Sequence, residues 1–286
     1  KKGIASDGTE VELTDDATFE LTIESGVDNF DGVTVGGTKY DETTEKITFT
    51  DNDADIVGLK DGTYKLKETV APDGFTVVSV FTFTVVNGEV TEVSSVTDGG
   101  KTELSDGTII VADEVSEIVI DKKAVGGGEI PAAAGNAKFE LTGSNLSSDI
   151  VTVSGATVDS QTADKIEFTG NDATIKGLKD GDYTLKETAG PEGYECITEF
   201  NFTIENGVIT KSNAADVTNG SVAVDEDGKT VTVSDKLKSS IVITKADVSG
   251  TKIDDTEDSA KATFVLSGSD LTGVTAGGVK AADGAR

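Results

Sequence analysis

Two glutamates, Glu68 and Glu187, fall on strand faces that should be apolar, and each repeat supplies a lysine and an aspartate in the same situation. The segments FTDNDADIVGLKDGTYKLKETVAPDGF (Phe49–Phe75) and FTGNDATIKGLKDGDYTLKETAGPEGY (Phe168–Tyr194) align without a gap, 119 residues apart, with 18 of 27 positions identical. Side chains along a strand alternate between faces. Tyr64, Leu66 and Glu68 therefore share a face, as do Tyr183, Leu185 and Glu187. The same alternation groups Ile118 and Ile120 with Lys122, and Ile241 and Ile243 with Lys245. It groups Ile109 and Val111 with Asp113, and Val231 and Val233 with Asp235. Each full repeat thus aims a lysine from its first strand, an aspartate from its last and a glutamate from its middle into its apolar side. For the first repeat Lys1 is chosen over Lys2 by spacing. Lys1 precedes Ile4 by three residues, as Lys122 precedes Val125 and Lys245 precedes Val248.

A buried charge is costly unless it is paired or neutralised. Burial favours the neutral amine of a lysine and the neutral acid of a carboxyl group. A neutral amine is a nucleophile, and a protonated carboxylic acid can be attacked and lose water. A neighbouring glutamate can carry the protons, and fixed geometry can supply an effective molarity of roughly 10⁵ M or more. The product would be an amide between lysine Nζ and aspartate Cγ. The residues alone leave a second outcome open, a buried Lys–Asp–Glu ion network with no covalent bond. They leave a third, a frayed strand end with its charge in water.

The elements that must position these groups read as strands. Thr and Val are abundant, Asn-Gly, Asp-Gly and Gly-Gly pairs separate short apolar runs, and no long window shows a helical period. The fold class is all-β. In the second repeat the expected strands are 117–122, 138–142, 150–154, 165–169, 173–176, 182–187, 196–205, 208–210, 221–224 and 230–235. Phe200–Ser212 should be a hairpin closed by an Asn-Gly turn, like Phe81–Val93 in the first repeat. The repeat length of about 120 residues is an ordinary domain size. It divides the chain into residues 1–116, 117–240 and the beginning of a third unit, 241–286. The chain reads as an excerpt of a longer array. Its connections are too short to be flexible, so consecutive units should form a semi-rigid rod. Lys245 has no equivalent of Glu187 or Asp235 after it and is expected to remain a free amine.

Composition narrows the function. The net charge of −29 makes nucleic acid and anionic membrane poor partners. The chain has no His, Trp or Met and one cysteine. His-dependent serine proteases are therefore excluded, and Cys196 can form neither an internal disulfide nor a zinc site. Cys196 reads as a small apolar strand residue. No signal peptide, membrane-spanning run or wall-sorting motif is present, which in an excerpt says little. Asp51-Asn52-Asp53-Ala54-Asp55 invites a calcium reading but fails the EF-hand pattern, with Ile56 and Gly62 where Gly and Glu are needed. A solvated strand-end turn is the better reading, and no metal or cofactor is expected.

Lys67–Phe75 (KETVAPDGF) and Lys186–Tyr194 (KETAGPEGY) resemble the E-box of Cna protein B-type and SpaA-type domains, the prealbumin-like β-sandwiches of Gram-positive surface proteins and pilins. Ile118–Lys122 and Ile241–Lys245 look like that family's first strand, and Ile109–Asp113 and Val231–Asp235 like its last. The resemblance covers the second repeat, nearly all of the first and the start of the third. It implies tandem prealbumin-like (Ig-like) β-sandwiches in a linear array. It also implies an isopeptide bond from Lys1 to Asp113 with Glu68 as proton shuttle, and one from Lys122 to Asp235 with Glu187. With aspartate as acceptor, water would leave, where an asparagine would release ammonia. A Tyr-Pro-Lys polymerisation motif is lacking, which favours a stalk of repeats over a polymerised shaft.

The expectation is a non-enzymatic structural stalk of an extracellular, wall-anchored bacterial surface protein, its bonds formed in single turnovers. Its partners would be neighbouring repeats in the same chain, further copies in a filament, and a host or matrix ligand that the sequence does not name. The alternatives are a ligand-binding adhesin segment, a pilin shaft subunit, or a spacer of an extracellular carbohydrate-active enzyme.

Overall fold

The computed structural model describes residues 1–5 and 7–238, and beyond them residues 243, 246, 248–249, 251, 264–266, 275–276 and 279–280. Residues Lys1–Lys238 form one compact unit and Ser239–Arg286 another. Lys245 lies outside the described residues. In the second unit Thr275–Ala276 and Val279–Lys280 pair antiparallel.

Within Lys1–Lys238 the repeat becomes two β-sandwiches, each with its own core. In the second, one sheet runs in the order Thr152–Ser154, Asp172–Lys176, Glu117–Ala124, Thr230–Asp235, Gly220–Val224. The other runs Thr157–Gln161, Lys165–Thr169, Lys138–Thr142, Gly181–Ala189, Phe200–Glu205, Val208–Ser212. Ile118, Ile120, Val231 and Val233 from the first sheet share a core with Phe139, Leu141, Phe168, Leu185 and Phe200 from the second. The first repeat is built alike. Lys2–Ile4 lies between Thr108–Glu114 and Glu10–Val11 in one sheet, and Gly62–Val70 lies between Thr18–Ser25 and Phe81–Val86 in the other. Tyr64, Leu66, Phe19, Leu21, Phe81 and Val111 are buried together there.

The pairing that matters for the site is the same in both. First and last strands lie side by side and parallel, with Ala124 opposite Asp235 and Gly3 opposite Asp113. A parallel pair cannot be closed by a tight turn. Here the whole sandwich is the crossover, so chain-distant residues become strand neighbours.

The strands follow the expected pattern, with three differences. Thr157–Gln161 is an added strand whose only large apolar residue, Val158, is 40% exposed, so no alternation marks it. Residues 196–199 are not strand; the strand begins at Phe200. Cys196, expected inside that strand, sits in the irregular stretch and is only partly buried. The Asn-Gly turns form as expected, with Asn87 at φ 53° and Asn206 at φ 55°.

Candidate functional site

The strand Glu117–Ala124 buries alternate residues, and the series Ile118, Ile120, Lys122 ends on a lysine only 1% exposed. Its neighbour Thr230–Asp235 ends on Asp235, 0% exposed. Lys122 lies opposite Val233, two residues before the pair Ala124–Asp235. Residues two apart share a face, and the offset of about 6.6 Å is within reach of a lysine stem. The amine therefore meets the carboxyl group inside the core. Lys122 Nζ contacts Asp235 Oδ1 and lies 3.0 Å from Glu187 Oε1. The three side chains are fully buried.

The first repeat reproduces the cluster. Lys1 Nζ contacts Asp113 Oδ1 and lies 2.6 Å from Glu68 Oε1, with all three side chains buried. Lys2 instead pairs with Glu10 at 2.8 Å on the surface. The N–H of Lys122 and the terminal amine of Lys1 donate to equivalent carbonyls, Asn171 O at 2.7 Å and Asn52 O at 2.6 Å. The six candidate residues of the two full repeats are thus brought together as two triads.

Each glutamate is held by a contact no motif predicted. Val78 N–H donates to Glu68 Oε2 at 2.9 Å, and Ile197 N–H donates to Glu187 Oε2 at 3.0 Å. The other oxygen, Oε1, is thereby turned toward the lysine. This explains why residues 196–199 leave the sheet: Ile197 spends its amide on a side chain. Two further residues build the floor of each site. The amines lie 5.4 Å (Lys1) and 5.9 Å (Lys122) from the ring centroids of Phe19 and Phe139, a favourable cation–π arrangement. Asn52 and Asn171 fasten the adjoining turn, each accepting an N–H at 3.0 Å, from Ala17 and Ala137 respectively. The repeated Asn-Asp dipeptide is the strand-end turn that the sequence suggests, but its role in fastening the site carries no residue-type signal. Asp51 Oδ1 accepts Asp53 N–H at 2.9 Å, a local turn bond.

The electrostatics favour protonated aspartates. Burial pushes the Asp113 carboxyl up to about 8, the adjacent Glu68 adding to the effect and Lys1 opposing it. Burial likewise pushes Asp235 up to about 7, with Glu187 adding and Lys122 opposing. Oδ2 of each aspartate is buried without a hydrogen-bond partner. An unsatisfied buried carboxylate oxygen is costly, and a neutral acid reduces that cost. The arrangement offers an amine, an electrophilic carboxyl group and a carboxyl group able to relay protons.

The sequence profile of SpaA prealbumin-like fold domains matches residues 5–99 and 132–219, once in each sandwich. The chain belongs to this family, as two prealbumin-like β-sandwich domains in tandem. Among solved structures it is similar to the C-terminal fragment of the pilus adhesin SpaC from Lactobacillus rhamnosus GG, at 18% identity and TM-score 0.33, covering 85% of this chain and 97% of that one. It is also similar to a variant of the shaft pilin SpaA from the same organism, at 14% identity and TM-score 0.27, covering 80% and 95%. Against a longer structure of SpaC it spans 30% of that chain and 82% of this one, at 18% identity and TM-score 0.33. No curated protein matches.

Proposed function

We propose that the chain is a load-bearing stalk segment of a bacterial cell-surface protein. Residues 1–116 and 117–240 would each be a domain closed by its own lysine–aspartate isopeptide bond. The observation that carries this reading is the burial of two Lys–Asp–Glu triads at equivalent places, where the first and last strands of each sandwich meet. Membership of the SpaA family and the resemblance to wall-anchored surface domains support an extracellular location on a Gram-positive cell. The pilus proteins among the similar structures are in keeping with a role in or beside a filament.

The chemistry is a condensation. With a proton shifted from the lysine to the aspartate, neutral Nζ attacks the protonated carboxyl at Cγ. Glu187 Oε1 takes a proton from the attacking nitrogen and returns one to the departing Asp235 oxygen. The C–O bond breaks, water leaves and the amide remains; Lys1, Asp113 and Glu68 react in the same way. The sandwich acts once on itself, so it is not an enzyme in the turnover sense.

Bonds spanning 112 residues from Lys1 to Asp113 and 113 residues from Lys122 to Asp235 would stabilise each domain by about 4–5 kcal/mol, by analogy with a disulfide. The mechanical effect is larger. Force applied at the ends of a domain would pass from first strand to last through the amide and would not unzip the sheets. Single-molecule pulling tests this. The native second domain should show no unfolding extension, whereas a Glu187→Ala domain should release about 350–400 Å of chain. Release of that length by the native domain would refute the stalk reading.

A further inference from the structure

The contact between the two sandwiches has an unused duplicate. Where they meet, the Asn206-Gly207 turn of the second domain sits on the segment Thr69–Thr76 of the first. Asn206 Oδ1 accepts Ala71 N–H at 3.2 Å, and Nδ2 donates to Thr69 O at 3.5 Å. Asp180 fixes the turn from behind, its Oδ2 accepting Asn206 N–H at 2.8 Å. Lys179 Nζ reaches Asp73 at 3.4 Å and Asp15 at 3.9 Å. The turn fits closely: a Cβ at Gly207 would lie 2.7 Å from Thr76 Oγ1 and 2.8 Å from Phe75 O.

The counterparts in the first domain, 119 residues earlier, are Lys60, Asp61, Asn87 and Gly88. They are built the same way. Gly88 N–H donates to Asp61 Oδ1 at 3.1 Å, and Tyr64 OH donates to Lys60 O at 2.8 Å, as Tyr183 OH does to Lys179 O at 2.8 Å. Yet Lys60, Asn87 and Gly88 are exposed, whereas Lys179 and Asn206 are half-buried and Gly207 is buried. A Cβ at Gly88 would meet nothing within 4 Å. The first domain thus carries the polar half of the same clasp, with the Asn87 turn exposed and Lys60 Nζ donating to Asn29 Oδ1 at 3.0 Å within its own domain.

We propose that this end of the first domain is a docking surface for the far end of another repeat of the same kind. The proposal rests on the stalk reading and names the partner surface. The chemistry defines the occupant: a backbone C=O and N–H two residues apart for the Asn87 amide, as Thr69 and Ala71 present them, and carboxylates for Lys60, as Asp73 and Asp15 present them. The net charge of −29 makes free copies repel, so the occupant is a repeat tethered in the same polypeptide. One element differs. Ile150, whose Cδ1 would lie 2.6 Å from a Cβ at Gly74, wedges into the observed joint, and Gly32 holds its place against Gly58 in the first domain. Docking there relies on Asn87, and on Lys60 exchanging its bond to the Asn29 amide for the incoming carboxylates.

The test extends the full chain by placing a second copy of residues 1–121 ahead of Lys1, which reproduces the observed Ser116–Lys122 junction. The readout is deamidation on incubation at mildly alkaline pH: the glycine nitrogen attacks the Asn Cγ, ammonia leaves, and water opens the cyclic imide. A side chain clasped at both polar atoms resists this. In the chain as it stands, the peptide carrying Asn87 should convert completely and faster than that carrying Asn206. In the extended chain half of the Asn87 peptide should convert at the original rate and half about tenfold more slowly, as a locally protected site does. Conversion of all Asn87 at one unchanged rate would overturn the docking proposal. So would an Asn206 that converts as fast as Asn87 in the existing chain. Loss of one water per complete repeat, read on the same extended chain, reports separately on the isopeptide reading.

Discussion

Ile197 N–H donates to Glu187 Oε2 at 3.0 Å, and this bond decides which oxygen of the glutamate faces Lys122. Val78 does the same for Glu68 at 2.9 Å. A carboxyl group anchored through one oxygen can pass protons through the other without moving. The Glu187→Ala variant should fold, because Lys122 and Asp235 still pair inside the core, but its second domain should lose water about 10²-fold or more slowly, the usual range for a general acid–base group. The measurement is the mass of the denatured chain over days after purification. Bond formation at the native rate would show that Glu187 is a spectator.

The raised Asp235 affinity for protons gives a pH test. Burial moves this carboxyl from 3.8 to about 7. The folded chain then holds a proton that the unfolded chain has released between about pH 4 and pH 7, so stability must fall as pH rises through that window. On the isopeptide reading, the group in the native chain is an amide and does not titrate. In Lys122→Met it remains an acid, and the cation that opposed the shift is gone. This variant should lose a few kcal/mol more than the native chain between pH 4 and pH 8 in chemical unfolding. Parallel pH profiles for the two chains would argue against a titrating Asp235.

Two glycines in identical turns isolate the domain joint. Gly207 at φ 77° and Gly88 at φ 79° both hold positive φ. An alanine at either costs about 1–2 kcal/mol in backbone strain. At Gly207 it would also meet Thr76 and Phe75, adding about 1–3 kcal/mol for a close-packed contact, unless the joint opens. Gly207→Ala should therefore unfold earlier in denaturant than Gly88→Ala, or show free motion between the domains in solution scattering. Indistinguishable behaviour would mean that the turn does not bear on the first domain in solution.

Much of the site was legible in the sequence because strand alternation is a strict rule. Tyr64-x-Leu66-x-Glu68 and Ile118-x-Ile120-x-Lys122 each carry a charge where the period demands an apolar residue, and all of these side chains but one are under 3% exposed, Leu66 being at 6%. Alternation assigns a face but no neighbour. That Lys122 meets Asp235 depends on a parallel register that only the folded sandwich displays. The amides of Val78 and Ile197 were not legible, since a backbone group bonding a side chain leaves no residue-type signal. Thr157–Gln161 was missed because it is an edge strand with little to bury. The joint was missed for a different reason: Asn206 meets Ala71 across the repeat boundary, and a pattern read within one repeat does not show what the next repeat covers.

Mapping of the cross-links would place each bond. After trypsin, Lys122 should appear only in a branched peptide joined to the one carrying Asp235, and Lys1 only joined to that carrying Asp113. Lys2, paired with Glu10 on the surface, should remain unmodified. A branch at Lys2 would mean that the first strand is shifted by one residue from the register in which Gly3 faces Asp113.

If each buried triad has expelled one water, the intact mass of the denatured, unfragmented chain is lighter than that of the sequence by two waters. One water should be restored by Lys122→Met and the other by Asp113→Ala, each compared with its own sequence mass. A native chain at its full sequence mass would rule out both amides and leave two buried ion networks in place of two covalent bonds.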